Sequence, residues 1–220
     1  MQRLFFCLIL LSALSCEDLP DTRARFDVTI ENLTGSEEAP SSVLSAGVFF
    51  VQNEGHPMFF NFSFDYGDGL ELLAEDGIAD TLFQNLNRRN SIVSSGTFPD
   101  VLPGERVSFS IEASYGQYFN FATMFVESND LFYAFHDGGF SLFEPDGTPI
   151  SGDLTSKVFL WDVGTEENQP PYEGNFQPFR QSVLNEGVST PNEPVRVRDD
   201  AFDYPSKTRV IRITFSPITL

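Results

Sequence analysis

Cysteine is almost absent from this 220-residue chain, which holds only Cys7 and Cys16. Cys7 falls inside an N-terminal apolar run. Removal of that run leaves Cys16 alone and excludes an intrachain disulfide in the remainder. Histidine is as scarce: His56 and His136 have no partner at metal-type spacing and read as surface or loop residues, which excludes a His/Cys zinc site. Only 13 basic residues face 32 acidic ones, a formal charge of −19. Binding to phosphate backbones needs clustered Lys and Arg, so nucleic acid is excluded as a partner. Catalytic signatures are missing too, with no G-x-S-x-G elbow, H-E-x-x-H pair, phosphate loop or G-x-G-x-x-G turn. No enzyme is expected. A hydrolase working through two of the many acids stays open as a remote alternative, although no pair is singled out.

What the chain has in excess is phenylalanine, 24 residues against six Tyr and one Trp. With 16 Gly and 14 Pro, this favours strands and turns over helix bundles. The length suits one domain, and 41% apolar residues suffice for a core. The acidity reads first as a solvated, aggregation-resistant surface. Only local clusters can turn it into cation binding.

Arg3, the apolar run Leu4 to Leu11 and the small residues Ser12 to Ser15 have the form of a secretory signal peptide over residues 1–15. Cys16 stands where bacterial lipoproteins carry their lipidated cysteine, and Ala13-Leu14-Ser15 resembles a loose lipobox. Cleavage nearby without lipid is the alternative. The expectation is export, with a lipid anchor at Cys16, a tether over 16–24 and location on the outer membrane or cell surface. Loss of residues 1–15 removes Arg3 and no acid, so the charge becomes −20.

Downstream the strand signals accumulate. Phe26, Val28 and Ile30 alternate with polar residues, and so do Val107, Phe109 and Ile111, and Ile211, Ile213 and Phe215. Gly47 to Val51 is an apolar run that suits a strand buried on both sides, and Phe119 to Val126 is a further strand. Met58 to Phe64, Phe132 to Phe135 and Val158 to Trp161 are further strands. Leu70, Leu73, Ile78, Leu82 and Leu86 change the period to that of one or two short helical turns, interrupted by Gly77. Periodicity lapses over 167–205, where Tyr172, Phe176 and Phe179 are expected to pack down. The reading is an all-β antiparallel sandwich over 25–217, with a long irregular segment before its last strand.

Two apolar runs end in acids. One ends at Glu127-Ser128-Asn129-Asp130 and the other at Trp161-Asp162-Val163-Gly164-Thr165-Glu166. Strand ends that turn sharply and present oxygens suit a hard cation, and Ca²⁺ takes six to eight oxygen ligands. Asp130, Asp162 and Glu166 are the candidate ligands for one Ca²⁺, with Thr165 and backbone carbonyls beside them. The alternative is a turn in which Asp162 caps backbone N–H groups and Glu166 is solvated. Asp65, Asp68 and Asp76 form a competing cluster that fails the EF-hand spacing.

These motifs, with Glu71-Leu72-Leu73-Ala74-Glu75-Asp76-Gly77, Phe121-Ala122-Thr123-Met124, Tyr204-Pro205 and Val210 to Thr214, resemble the spondin N-terminal domain in its bacterial form. The resemblance runs from about Phe26 to Pro217. It implies an extracellular β-sandwich with one Ca²⁺ at loops on one end, and its metal-ligand acids fall on Asp130, Asp162 and Glu166. The chain departs from the family at Leu131, where an aromatic is usual, at Val163 for Ala, and at Glu166 for Asp. Neither of the first two changes removes an oxygen; the third lengthens one arm by a methylene. Animal members carry disulfides and neighbouring thrombospondin repeats that this chain lacks, so their adhesion partners are not carried over.

The function expected is therefore a monomeric, lipid-tethered calcium-binding module for an unidentified protein or glycan ligand at the cell surface. The alternative is a purely structural calcium, with binding through the 167–205 segment.

Overall fold

The computed structural model describes residues 22–53, 67–190 and 193–219. The N-terminal apolar run, Cys16, His56, the strand expected over Met58 to Phe64 and Asp65 lie outside these residues.

Four strands, β1 (Arg23–Asn32), β4 (Arg106–Ser114), β8 (Gly152–Asp153) and β11 (Ile211–Thr219), form one sheet in the order β4-β1-β11-β8. The other sheet contains β2 (Gly47–Asn53), β3 (Ile92–Phe98), β5 (Gln117–Met124), β6 (Leu131–Ala134), β7 (Phe140–Ser141), β9 (Phe159–Asp162) and β10 (Arg196–Val197). Its order is β10-β9-β6-β5-β2-β3, with β7 also paired to β5. Every pairing is antiparallel, so the fold is an all-β sandwich. Helices α1 (Leu70–Asp76) and α2 (Asp80–Leu86) add a third layer on the outside of the larger sheet. Among the described residues no helix is long and apolar enough to cross a membrane.

Residue alternation explains the layers. In β1, Ala24, Phe26, Val28 and Ile30 are fully buried between the sheets. The other side of the strand is polar and crossed by surface ion pairs such as Arg23–Glu112 and Arg212–Glu31, both 3.0 Å. Such exposed pairs contribute little to stability. The larger sheet is apolar on both faces, because α1 and α2 cover what would otherwise meet water. In β2, Phe49 and Val51 face the inter-sheet core, while Val48 and Phe50 face the helices. Phe49 stacks on Phe109 of the opposite sheet at 3.9 Å, and Phe119 meets Phe215 edge-on at 5.2 Å. Phenylalanine thus serves as core.

Gly77 splits the helical stretch in two. It takes φ +71°, and the N–H groups of Gly77 and Ile78 close on the carbonyls of Leu73 and Leu72. Four strands go beyond what the sequence suggests: β3, β10 and the two-residue β7 and β8. β3 is a half-exposed edge strand carrying Ser94, Ser95, Gly96 and Thr97, so its alternation is weak. β10 has only two residues and exists because β9 supplies its partner. β1 begins at Arg23, so the end of the expected tether pairs in the sheet.

Among its described residues the 167–205 segment is irregular apart from β10, as read from the sequence. Tyr172 packs edge-on against Phe125 at 6.0 Å, but Phe179 is 66% exposed, contrary to expectation. The adjoining Arg180 is turned inward instead, reaching Glu127 at 2.7 Å.

Gly47 shows how tight the centre is. A Cβ there would lie 2.3 Å from the Phe98 ring and 2.5 Å from the Ala122 carbonyl oxygen. Gly47→Ala is expected to cost about 1–3 kcal/mol, measured as a lower midpoint in denaturant unfolding.

Candidate metal centre

The turn between β5 and β6 is built by its own side chains. The Ser128 hydroxyl donates to the Phe125 carbonyl and accepts from the Leu131 N–H at 3.2 Å. This presents Asn129 and Asp130 at the start of β6. Register then fixes the encounter with β9, because Leu131 pairs with Asp162. The Val163 N–H donates to the Asp130 carbonyl at 3.2 Å. Two acids 32 positions apart are thus brought together by a strand pairing, although Asp162 closes β9 rather than following it.

Asp130 is fully buried. Its Oδ2 accepts the backbone N–H of Thr165 at 3.0 Å and of Glu166 at 3.1 Å; its Oδ1 has no hydrogen-bond partner. The Asp162 Oδ1 accepts from the Gly164 N–H at 2.7 Å, which closes an Asx turn. That turn needs Gly164 at φ +78°, where a Cβ would also strike the Glu193 carbonyl oxygen at 2.7 Å. The Asp162 Oδ2 accepts from Asn168 at 2.8 Å and from Arg196 at 3.0 Å. Glu166 accepts from the Asn129 amide at 3.2 Å and from the Gly187 N–H at 2.9 Å. The backbone of residue 187 lies so close to this carboxylate that a Cβ there would overlap it.

Sequence reasoning missed a fourth acid. Glu75 of α1 is 2% exposed, its Oε2 has no hydrogen-bond partner, and it feels the Glu166 charge. The only signal was an acid within the buried stretch of a short amphipathic helix. Asn129, Asn168 and Arg196 were also missed as site residues. Of the competing cluster, Asp65 lies outside the described residues; Asp68 pairs with Arg89, and the Asp76 Oδ1 accepts from the Gln181 amide at 2.8 Å. His136 is exposed and sits against Asp137.

Charge at this end is unbalanced. Among the described residues, Arg196 pairs with Asp162 and Arg180 with Glu127, but no cation pairs with Glu75, Asp130 or Glu166. Burial, then the nearby Asp162 charge, raises the Asp130 carboxyl well above the usual carboxylate range. Burial pushes Glu75 up to about 7 against the pull of the Thr165 hydroxyl, and raises Glu166 against its bonds from Asn129 and Gly187. Asp162 is raised by burial despite Arg196.

Asp130, Asp162 and Glu166 share one end of the sandwich but not one point. Among the described residues, no three or more His, Cys, Asp or Glu side chains converge as a metal cage. The donor set nevertheless suits a hard cation. The buried Oδ1 atoms of Asp130 and Asn129 are unpartnered. The engaged oxygens of Glu166 and the Asp162 Oδ1 take one protein donor each, which leaves lone-pair capacity.

The fold and this end together define a β-sandwich with a buried acidic rim. No protein-family model matches the chain, and a search of curated proteins gives no match.

Proposed function

We propose that the protein is an extracytoplasmic calcium-binding β-sandwich module of the spondin N-terminal type, which presents a calcium-ordered rim to a surface ligand. The observation that carries this reading is the buried carboxylate group without matching cations, together with the unpartnered oxygens of Asp130 and Asn129. Like charges buried side by side are costly unless a cation joins them. Asp130, Asp162 and Glu166 would hold the ion, with Asn129 beside them, and Ca²⁺ would supply the missing positive charge.

The ion would act on three loops at once. Asp130 caps the turn at 163–166, Glu166 receives the Gly187 N–H, and Thr190 donates to the Gly164 carbonyl at 3.0 Å. The motifs at 128–130 and 161–166 and the N-terminal run support a lipid-anchored surface protein, attached through Cys16. Calorimetric titration of the purified protein with CaCl₂ tests the reading. Saturable binding by wild type that is weakened at least about tenfold in Asp162→Asn is expected, since an ionised ligand is lost. Unchanged binding in the variant would sink the assignment.

One observation favours a second reading, in which calcium is structural and the 167–205 segment does the binding. Phe179, Val183, Leu184 and Val188 stand 52–66% exposed within ten residues of that segment. Their replacement by Ser should then abolish ligand capture while leaving calcium binding intact.

A further inference from the structure

We propose that the cavity at the β9–β10 edge of the sandwich binds a small organic carboxylate through Arg198, Lys207 and the Tyr133 hydroxyl. The cavity holds about 250 Å³ and lies between β9, β10 and the segment that leads into β11. Its charge is opposite to that of the molecule. In a chain of −19, this cavity is lined by two cations. Among the described residues, the one carboxylate bonded to either is Asp200, 3.1 Å from Arg198. Lys207 makes no ion pair with any described residue. Its Nζ donates to the carbonyls of Ser156, at 2.9 Å, and Val158, so one of its three donors remains.

Arg198 is held in place and only partly used. Its guanidinium lies over the Tyr204 ring at 4.5 Å. Nη1 donates to Asp200 and to the Phe202 carbonyl, while Nε and Nη2 bond no described residue. A guanidinium fixed by stacking and one anchored nitrogen is organised for the planar, two-oxygen geometry of a carboxylate. Tyr133 adds a third donor. It is 1% exposed and lines the cavity, yet its hydroxyl bonds no described residue. That hydroxyl is left to donate to a ligand.

The remaining lining is mostly apolar, with Val158, Phe159, Leu160, Val197 and Pro205, and adds the hydroxyl-bearing Ser206. That suits an organic body rather than an inorganic anion, and the volume is below that of a drug-sized site, so the ligand is a single small unit. The acidic rim does not cancel this cavity. Arg196 and Arg198 are alternate residues, roughly 7 Å apart along an extended chain. Arg196 occupies Asp162, whereas Arg198, whose N–H continues the ladder to the Leu160 carbonyl at 3.0 Å, serves the cavity. The inference does not depend on calcium.

The test is calorimetry and amide NMR on the purified protein at pH 7 in EDTA, at constant ionic strength. Sodium glucuronate and sodium benzoate are the probes, with glucose and sodium sulfate as comparisons. Saturable binding of either carboxylate, with shifts at residues 158–160 and 197–207, supports the site; which acid binds tells whether the body is sugar or aromatic. Lys207→Gln, which keeps donors for the two carbonyls, should weaken it at least about tenfold, the loss of one charge-assisted bond. Tyr133→Phe should weaken it as well, should Arg198→Gln unfold the 198–202 turn. No saturable carboxylate binding, equal binding of sulfate, or an unchanged Kd in Lys207→Gln would overturn the proposal.

Discussion

Asp130→Asn is expected to raise the Tm in EDTA and to lower it in millimolar calcium, both relative to wild type. The sign change follows from where the hydrogen bonds fall. Both backbone donors, from Thr165 and Glu166, go to Oδ2, while Oδ1 receives none. The amide keeps an oxygen for the two N–H groups and replaces the unpartnered oxygen with NH₂. It also removes a buried charge that faces Asp162 and Glu166. Without metal the change removes a cost, and a gain of about 1 kcal/mol corresponds to roughly 2–4 °C for a protein of this size. With metal it removes a ligand. Wild type at calcium a hundred times its Kd gains about 2.7 kcal/mol, which the variant forfeits. Asp130→Ala separates the capping role from the charge. It leaves the Thr165 and Glu166 N–H groups without an acceptor, at about 1–3 kcal/mol for each that stays unsolvated, and so lowers Tm in both conditions. Thermal unfolding of the three proteins in EDTA and in calcium reads all of this. Asn and Ala variants that behave alike in EDTA would show that charge is not what burdens the apo site.

How much of this was legible in the sequence depends on whether a feature is local. The strands β1, β4 and β11 announce themselves because one face is wet and the alternation is clean. The doubly buried β2 and β5 were readable as apolar runs. The two-residue β10 was not, since it is made by its neighbour. At the acidic end, Asp130, Asp162 and Glu166 could be found because each sits beside a turn residue at the end of an apolar run. Glu75 could not, because its burial comes from α1 packing across the sheet onto the 161–166 turn, a contact that no spacing in the chain records. Arg196 escaped for the same reason: it lies 34 residues from Asp162 and reaches it only through the β9–β10 pairing. Sequence shows which oxygens stand at strand ends. It does not show which are already taken by N–H groups, and that decides how much work is left for a cation.

The same accounting of charge predicts an unusual pH profile. Calcium-free protein is expected to lose stability as pH rises from 5 to 8, by about 3 kcal/mol from Glu75 alone. Glu75 titrates near 4.5 when exposed and near 7 in the folded protein. Below 4.5 both states are protonated and the group is neutral in its effect. Between the two values the folded state holds the proton that the unfolded state has lost, so stability falls as pH rises. Above 7 the full penalty is present, at about 1.4 kcal/mol for each pH unit between the two values. Asp130 and Glu166, also raised, act in the same direction. Asp146 and Asp153 are lowered by their hydrogen bonds to Thr148 and Thr155, so they act below the ordinary aspartate range and leave this window undisturbed. Calcium should flatten the slope, because the ion favours the ionised carboxylates, releases their protons and binds more tightly at higher pH. Glu75→Gln should remove the Glu75 share of the slope without calcium, since an amide of the same size carries no charge to bury, and leave the part that Asp130 and Glu166 contribute. Urea unfolding at pH 5, 6, 7 and 8, in EDTA and in calcium, measures both. Stability that climbs with pH in EDTA would mean that the buried acids are already neutralised by the protein, leaving calcium nothing to correct; a falling curve that calcium levels would identify the unbalanced acids themselves as the source of the affinity.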